Sequence, residues 1–225
     1  GGSVPRPGEI TLATKGVLFL DELTEFPQAI LESLRQPLED RKIRIVRATA
    51  EYTYPADFML VAAMNPCKCG YYPDRTRCFC TEHDILRYMG RISQPIWDRF
   101  DLNVKVNKVE FSMLSQDEED NDSQMTSEQM RSFIGRARDI QKDRFKNDNI
   151  HFNSQMSSRQ VKKYCGLGNR EKDIMEKAYC TFNMTARGYE KVLKTARTIA
   201  DMEGEENIAV SHLSEAISYR NNGIK

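Results

Sequence analysis

Four consecutive apolar residues, Val17–Leu20, follow Gly16 and pass directly into two carboxylates, Asp21 and Glu22. A continuous apolar run this short predicts a strand buried on both faces, as in a parallel sheet under helices. Ligands of open α/β sheets bind beyond the carboxyl ends of such strands, and Asp21 and Glu22 fall at that end. Neighbouring side chains on a strand point to opposite faces. The two acids can therefore take separate tasks, one holding a metal ion and the other polarising a water. The alternative is a buried strand that ends in two solvated acids.

A second buried-strand pattern, Phe58–Met64, ends at Asn65-Pro66. Asn65 would also stand at a carboxyl edge, where its amide can orient a water beside metal-binding carboxylates; otherwise it is a turn residue. Nucleotide triphosphatases use an Asp at the end of such a strand to position Mg²⁺. Between the two strands, Pro27 opens a helix with Ile30, Leu31 and Leu34 on its apolar stripe to about Arg35. From Lys42 the period becomes that of a strand. Ile43 and Ile45 alternate with Lys42, Arg44 and Arg47, extending to Ala48, and Glu51–Tyr54 pairs back as a hairpin. One face carries the three cations, either merely solvated or touching a nucleic-acid strand.

Cys67, Cys69, Cys78 and Cys80 form two close pairs joined by a turn-rich segment. Such crowding points to a metal site rather than a disulfide framework. Folded over one another, two Cys pairs give a tetrahedral Cys₄ set for Zn²⁺. The spacing is C-x-C rather than the commoner C-x₂-C, so reduced or redox-sensitive thiols remain the alternative. His83 is a substitute ligand or a helix-start residue. Asp84–Arg91 reads as a helix, and Leu102, Val104 and Val106 as a third strand.

The acidic stretch Gln116–Gln124 predicts a linker. Past it the chain reads as helical. Thr126 with Gln129 and Ser157 with Gln160 are capping boxes; Arg170–Phe182 and Thr185–Glu203 are further helices, and Ser211 caps the last. Arg187 falls in a first turn, where a cation is tolerable if it meets an anion; otherwise it is an ordinary surface arginine. The 33 basic and 33 acidic residues balance, so no global field draws the chain to nucleic acid or membrane. No run approaches the roughly 18 apolar residues of a membrane span. The start shows no signal-peptide pattern, and the expectation is a cytoplasmic protein.

Several segments then occur in one order: Pro5–Ile10, Gly16–Leu23, Ala63–Tyr72, Arg91–Asp101, Thr185–Tyr189 and Ala196–Asp201. The series resembles the magnesium-chelatase-like AAA+ ATPases, specifically the bacterial YifB/ComM competence-protein branch, across essentially the whole chain. The resemblance implies an α/β partial AAA+ core over 1–110, an acidic linker over 111–125 and an all-α helical lid over 126–225. It makes Asp21 and Glu22 the Walker B acids for Mg²⁺ and the attacking water, and Asn65 the sensor-1 amide. Arg99 becomes the arginine finger that reaches a neighbouring subunit's ATP, and Arg187 the sensor-2 residue on its phosphate. The hairpin with Lys42, Arg44 and Arg47 becomes the insertion before sensor 1.

No Gly-x-x-x-x-Gly-Lys-Ser/Thr phosphate loop occurs in the chain. In the family that loop lies upstream, so the expectation is a carboxyl-terminal part that is inactive alone. The implied function of the whole is a hexameric ring that couples ATP hydrolysis to DNA branch migration in natural transformation. The alternatives are a magnesium chelatase subunit that drives metal insertion into a porphyrin, and a non-enzymatic zinc-stabilised module that binds DNA or a partner.

Overall fold

The structure is a computed structural model that describes residues 6–47, 50–106 and 125–220. The expected acidic linker and Ala48 lie outside the described residues. The chain divides into two compact units, one ending at Phe100 and one beginning at Asp101, each with its own core.

The first unit opens with a one-turn helix α1 (Glu9–Leu12) and strand β1 (Val17–Leu20). Helices α2 (Gln28–Ser33) and α3 (Arg35–Asp40) follow. The expected single helix is broken at Leu34 and runs further, to Asp40. Pro37 has no N–H to give the Ser33 carbonyl and would crowd it, so α2 ends and a second helix takes Pro37 into its first turn. Strands β2 (Lys42–Val46) and β3 (Glu51–Pro55) form an antiparallel hairpin that sets Ile45 opposite Tyr52 and Ile43 opposite Tyr54. Strand β4 (Met59–Ala62) returns parallel to β1, with Leu20 beside Ala62. The unit closes with α4 (Glu82–Met89) and α5 (Gln94–Trp97).

Leu18 and Leu20 of β1 and Ala62 of β4 pack on a core of Leu23, Leu31, Leu34, Ile92, Ile96 and Trp97. The opposite face differs from the expected doubly buried strand. Val17 and Phe19 are each 57% exposed, and Met59 and Val61 beside them are exposed as well. Among the described residues the parallel sheet has two strands, and its core covers one side only. Leu102, Val104 and Val106 alternate as expected but form no strand. Alternation makes a strand only where a neighbour accepts its backbone bonds; here the Asn103 N–H donates instead to the Tyr219 carbonyl, at 2.8 Å.

The second unit is helical: α6 (Ser127–Arg144), α7 (Ser158–Tyr164), α8 (Asn169–Thr181), α9 (Ala186–Glu203) and α10 (Val210–Ser218). Both expected capping boxes form, Thr126 Oγ1 accepting from the Gln129 N–H and Ser157 Oγ from that of Gln160. Thr185 caps α9, whose apolar side, including Val192, Leu193 and Ala196, centres the core. The last helix starts at Val210, not after Ser211. The buried His212 ring accepts the Ala209 N–H through Nδ1 at 3.0 Å and meets Glu203 through Nε2 at 2.9 Å. A side chain three residues into the helix thus does the work expected of Ser211.

Candidate functional site

β1 ends at Leu20, and the next two residues leave the pleat. The Asp21 Oδ1 accepts the Glu22 N–H at 2.9 Å. Glu22 adopts the left-handed conformation, φ 50° and ψ 49°. A non-glycine residue there is uncommon and is characteristic of turns and functional sites. The expectation that pleat alternation sets the two acids on opposite faces is corrected on this point: their directions come from a turn. Both carboxylates are exposed.

Asn65 reaches the same edge from β4. The Ala63 N–H donates to the Leu20 carbonyl and the Leu23 N–H to the Ala63 carbonyl, both at 2.9 Å. These bonds carry the parallel pairing past the strand ends and hold the segments that bear Asp21, Glu22 and Asn65 side by side. Gly70, at φ +81°, turns back over Asn65; a Cβ added there would lie 3.9 Å from the Asn65 side-chain carbonyl group. The loop that carries the cysteines therefore leans on the edge where Asn65 stands. Exposed carboxylates and an amide on one edge fit the oxygen coordination and water contacts of Mg²⁺.

Arg99 follows α5 and is turned into its own unit. Nη2 meets Glu39 at 2.7 Å, Nε donates to the Arg35 carbonyl at 3.2 Å, and the side chain is 12% exposed. Arg187 is an exposed residue in the first turn of α9, in the second unit. On the hairpin, Lys42 and Arg44 share the outward face of β2 with Val46. Arg47 lies beyond the strand, its N–H on the Ala50 carbonyl. The expected face of three cations is thus a face of two, because side chains alternate along the strand and Arg47, at an odd position, falls in step with Ile43 and Ile45 and not with Lys42 and Arg44.

The four thiols of the cysteine loop do converge. Sγ of Cys67 lies 3.3 Å from that of Cys69 and 3.7 Å from that of Cys78, and Cys69 and Cys78 are 3.5 Å apart. All four sulfurs, with Cys80, lie within 4.8 Å of one another. A tetrahedral ion with bonds of about 2.3 Å holds its sulfurs about 3.8 Å apart, whereas a disulfide needs about 2.05 Å. The spacing matches four ligands around one ion, and the set could hold a metal.

Cys67 and Cys78 are buried, and their thiols part company. Burial pushes the Cys67 thiol up, but hydrogen bonds from the Tyr72 backbone and from the Cys69 and Cys78 thiols outweigh it and bring it down to about 6. Burial prevails at Cys78, pushed up to about 12. One sulfur is therefore ready as a thiolate, and a bound cation would draw the protons off the others. His83 sits in the first turn of α4 and is not in the cluster.

The family model described as magnesium chelatase, subunit ChlI, matches residues 1–114, and that of the ChlI C-terminal region matches residues 124–220. The chain belongs to the magnesium-chelatase-like family. It is 42% identical over 220 residues to competence protein ComM of Haemophilus influenzae, an alignment that covers 98% of this chain and 42% of that protein. It is 40% identical over 220 residues to YifB of Escherichia coli, an uncharacterised protein, with the same shares covered. A more distant relative is DNA replication licensing factor Mcm6 of Drosophila melanogaster, 23% identical over 233 residues, 98% of this chain and 26% of that protein. The chain thus spans 42% of the length of its ComM and YifB relatives and sits in their branch of the family.

Three features of the site were not legible in advance: Gly70 over Asn65, Glu39 on Arg99, and the surroundings of Phe79. Glu39 and Arg99 come from separate elements far apart in sequence, and Gly70 meets Asn65 through the path of the loop they share between β4 and α4; neither contact left a local signal. The Thr81-x-x-Asp84 box that starts α4 was readable, and it fixes where the cysteine loop ends: Thr81 Oγ1 accepts the Asp84 N–H, and the Asp84 carboxylate accepts the Thr81 N–H.

Proposed function

We propose that the chain is part of a ring-forming AAA+ ATPase that couples ATP hydrolysis to DNA remodelling, in the manner of branch migration during natural transformation. One observation carries the reading: Asp21, Glu22 and Asn65 share one sheet edge in a chain of the magnesium-chelatase-like family. Two relatives add support, one named a competence protein and one a DNA replication licensing factor.

When bound, ATP and Mg²⁺ supply the phosphoryl group and the charge that draws electrons from it. Asp21 would hold the metal, and Glu22 would accept a proton from the attacking water. Asn65 orients that water through its amide. Arg99 offers positive charge to the nucleotide of a neighbouring subunit in a hexameric ring, and Arg187 offers it from the helical lid. Phosphoryl transfer rests mainly on positioning and charge neutralisation, so these groups form a sufficient kit once a phosphate-binding loop is present. We assign Zn²⁺ to Cys67, Cys69, Cys78 and Cys80, where it closes the loop that leans on Asn65. Lys42, Arg44 and Arg47 remain candidates for contact with DNA.

The test is ATP turnover by the full-length protein, alone and with forked or four-way DNA, beside Glu22→Gln. The expected result is turnover that DNA stimulates and the substitution abolishes. Turnover indifferent to DNA would favour the metal-insertion activity named for the family. No turnover in either protein would leave a zinc-stabilised binding module. Metal analysis is expected to give about one zinc per chain.

A further inference from the structure

Beyond the residues assigned to hydrolysis, one cleft gathers side chains of a different kind. Lys68 enters it from the first cysteine pair, Phe79 from the second, and Arg87 and Arg91 from α4 and just past its end. Phe79 lies between two of the four cysteines and is 90% exposed, the most exposed of the large apolar side chains described. A scattered surface apolar residue needs no explanation. This one stands on a loop whose four sulfurs fix its base, beside three cations.

The single acid lining the cleft is Asp84. Its carboxylate is engaged by the Thr81 hydroxyl and N–H, and those bonds hold it well below the usual carboxylate range. Arg91 meets Glu25 at 3.1 Å across a pair in which both side chains are about half exposed. Such a pair exchanges readily for a phosphate because exposed ion pairs are weak. A second platform stands on the same loop: the Arg77 guanidinium lies 4.1 Å from the centre of the half-exposed Tyr71 ring. The chain as a whole is neutral, so this excess of cations is local.

We propose that the cleft between the cysteine loop and α4 binds single-stranded nucleic acid, with Phe79 stacking on an unpaired base and Lys68 and Arg87 neutralising flanking phosphates. Exposed rings beside cations bind single strands because every base offers a face to stack on, whereas paired bases in a duplex do not. The inference rests on the DNA-directed reading for its partner and on this cleft for its site.

The experiment measures binding of a short labelled oligothymidine, and separately of a blunt duplex, to the zinc-loaded full-length protein over a range of salt. The protein is expected to prefer the single strand. Phe79→Ala is expected to weaken that binding by about tenfold, while Phe79→Tyr restores most of it. Lys68→Ala with Arg87→Ala is expected to flatten the salt dependence by about 1.4 in log–log slope. Zinc content and melting temperature, unchanged in every variant, show that the loop is still folded.

Affinity within about twofold of the parent in all variants, with DNA-stimulated turnover intact, would overturn this site and leave the motor reading standing. No strand binding by the parent protein would overturn both. Competition by polyglutamate that does not depend on Phe79 would overturn the proposal in favour of an acidic protein partner.

Discussion

All three guanidinium nitrogens of Arg99 bond within its own unit, to Glu39 and to the carbonyls of Arg35 and Pro95. To act on a neighbour's nucleotide, as proposed, Arg99 would have to exchange these partners when subunits meet; its ion-pair partner Glu39 is partly exposed, while Arg99 itself is 12% exposed. The proposed trans role makes a specific prediction. Arg99→Ala in the full-length protein lowers turnover by about a thousandfold or more, and Glu22→Gln abolishes it. Mixing the two inactive proteins recovers activity, because an intact Glu22 in one subunit then faces an intact Arg99 in the next. No recovery in a turnover assay of mixed subunits would remove Arg99 from that role. The Asp-Arg-Phe-Asp segment showed where this arginine sits in sequence; Glu39, 60 positions earlier by the numbering, could not be read as its partner.

Where a capping box was read from the sequence, the helix began behind it. Thr126 and Ser157 are examples, since each needs only a residue three positions on. α10 broke the pattern because His212 is buried against Glu203 on another helix, and that contact fixed the start. A buried polar cluster of the second unit joins α9 to the end of α6 and to Asn153. Asp201 is fully buried and bonds Arg144, Arg197 and Asn153, the last at 2.7 Å. The Asn153 N–H in turn donates to Gln141 Oε1 at 3.1 Å. Asp201→Asn leaves two guanidinium groups short of charge in a buried site, and removing one partner of such a set costs about 3–5 kcal/mol. Urea unfolding is expected to show that loss; a change below about 1 kcal/mol would mean that the cluster is held by its backbone and not by Asp201.

At the scale of the molecule, two cores underlie two units, and the thiol cluster belongs to the first. Chelation or Cys67→Ser is therefore expected to loosen residues 65–80 and leave the amide protection of Val192–Asp201 in α9 unchanged, as hydrogen exchange would show. Because Gly70 stands over Asn65, metal loss is also expected to lower turnover of the full-length protein although no cysteine is placed at the reaction. Equal loss of protection in both units would contradict a local staple.

The amino-acid sequence by itself determined what acts over a few residues. The short apolar runs that become β1 and β4 and the capping boxes follow from pattern and hydrogen bonds within about one turn of chain; the Pro37 break is equally local in cause, although the apolar stripe alone predicted one helix. Ordered motifs carried the family. Tertiary structure decided what depends on the path between elements: the turn that takes Glu22 out of the pleat, the exposed side of β1, and the meeting of Cys67 and Cys78 at 3.7 Å. A strand's apolar run states that it can be buried, but only its neighbours determine on how many sides. In the same way, two cysteine pairs state a capacity for metal, and closing the loop between them is what sets four sulfurs at coordination distance.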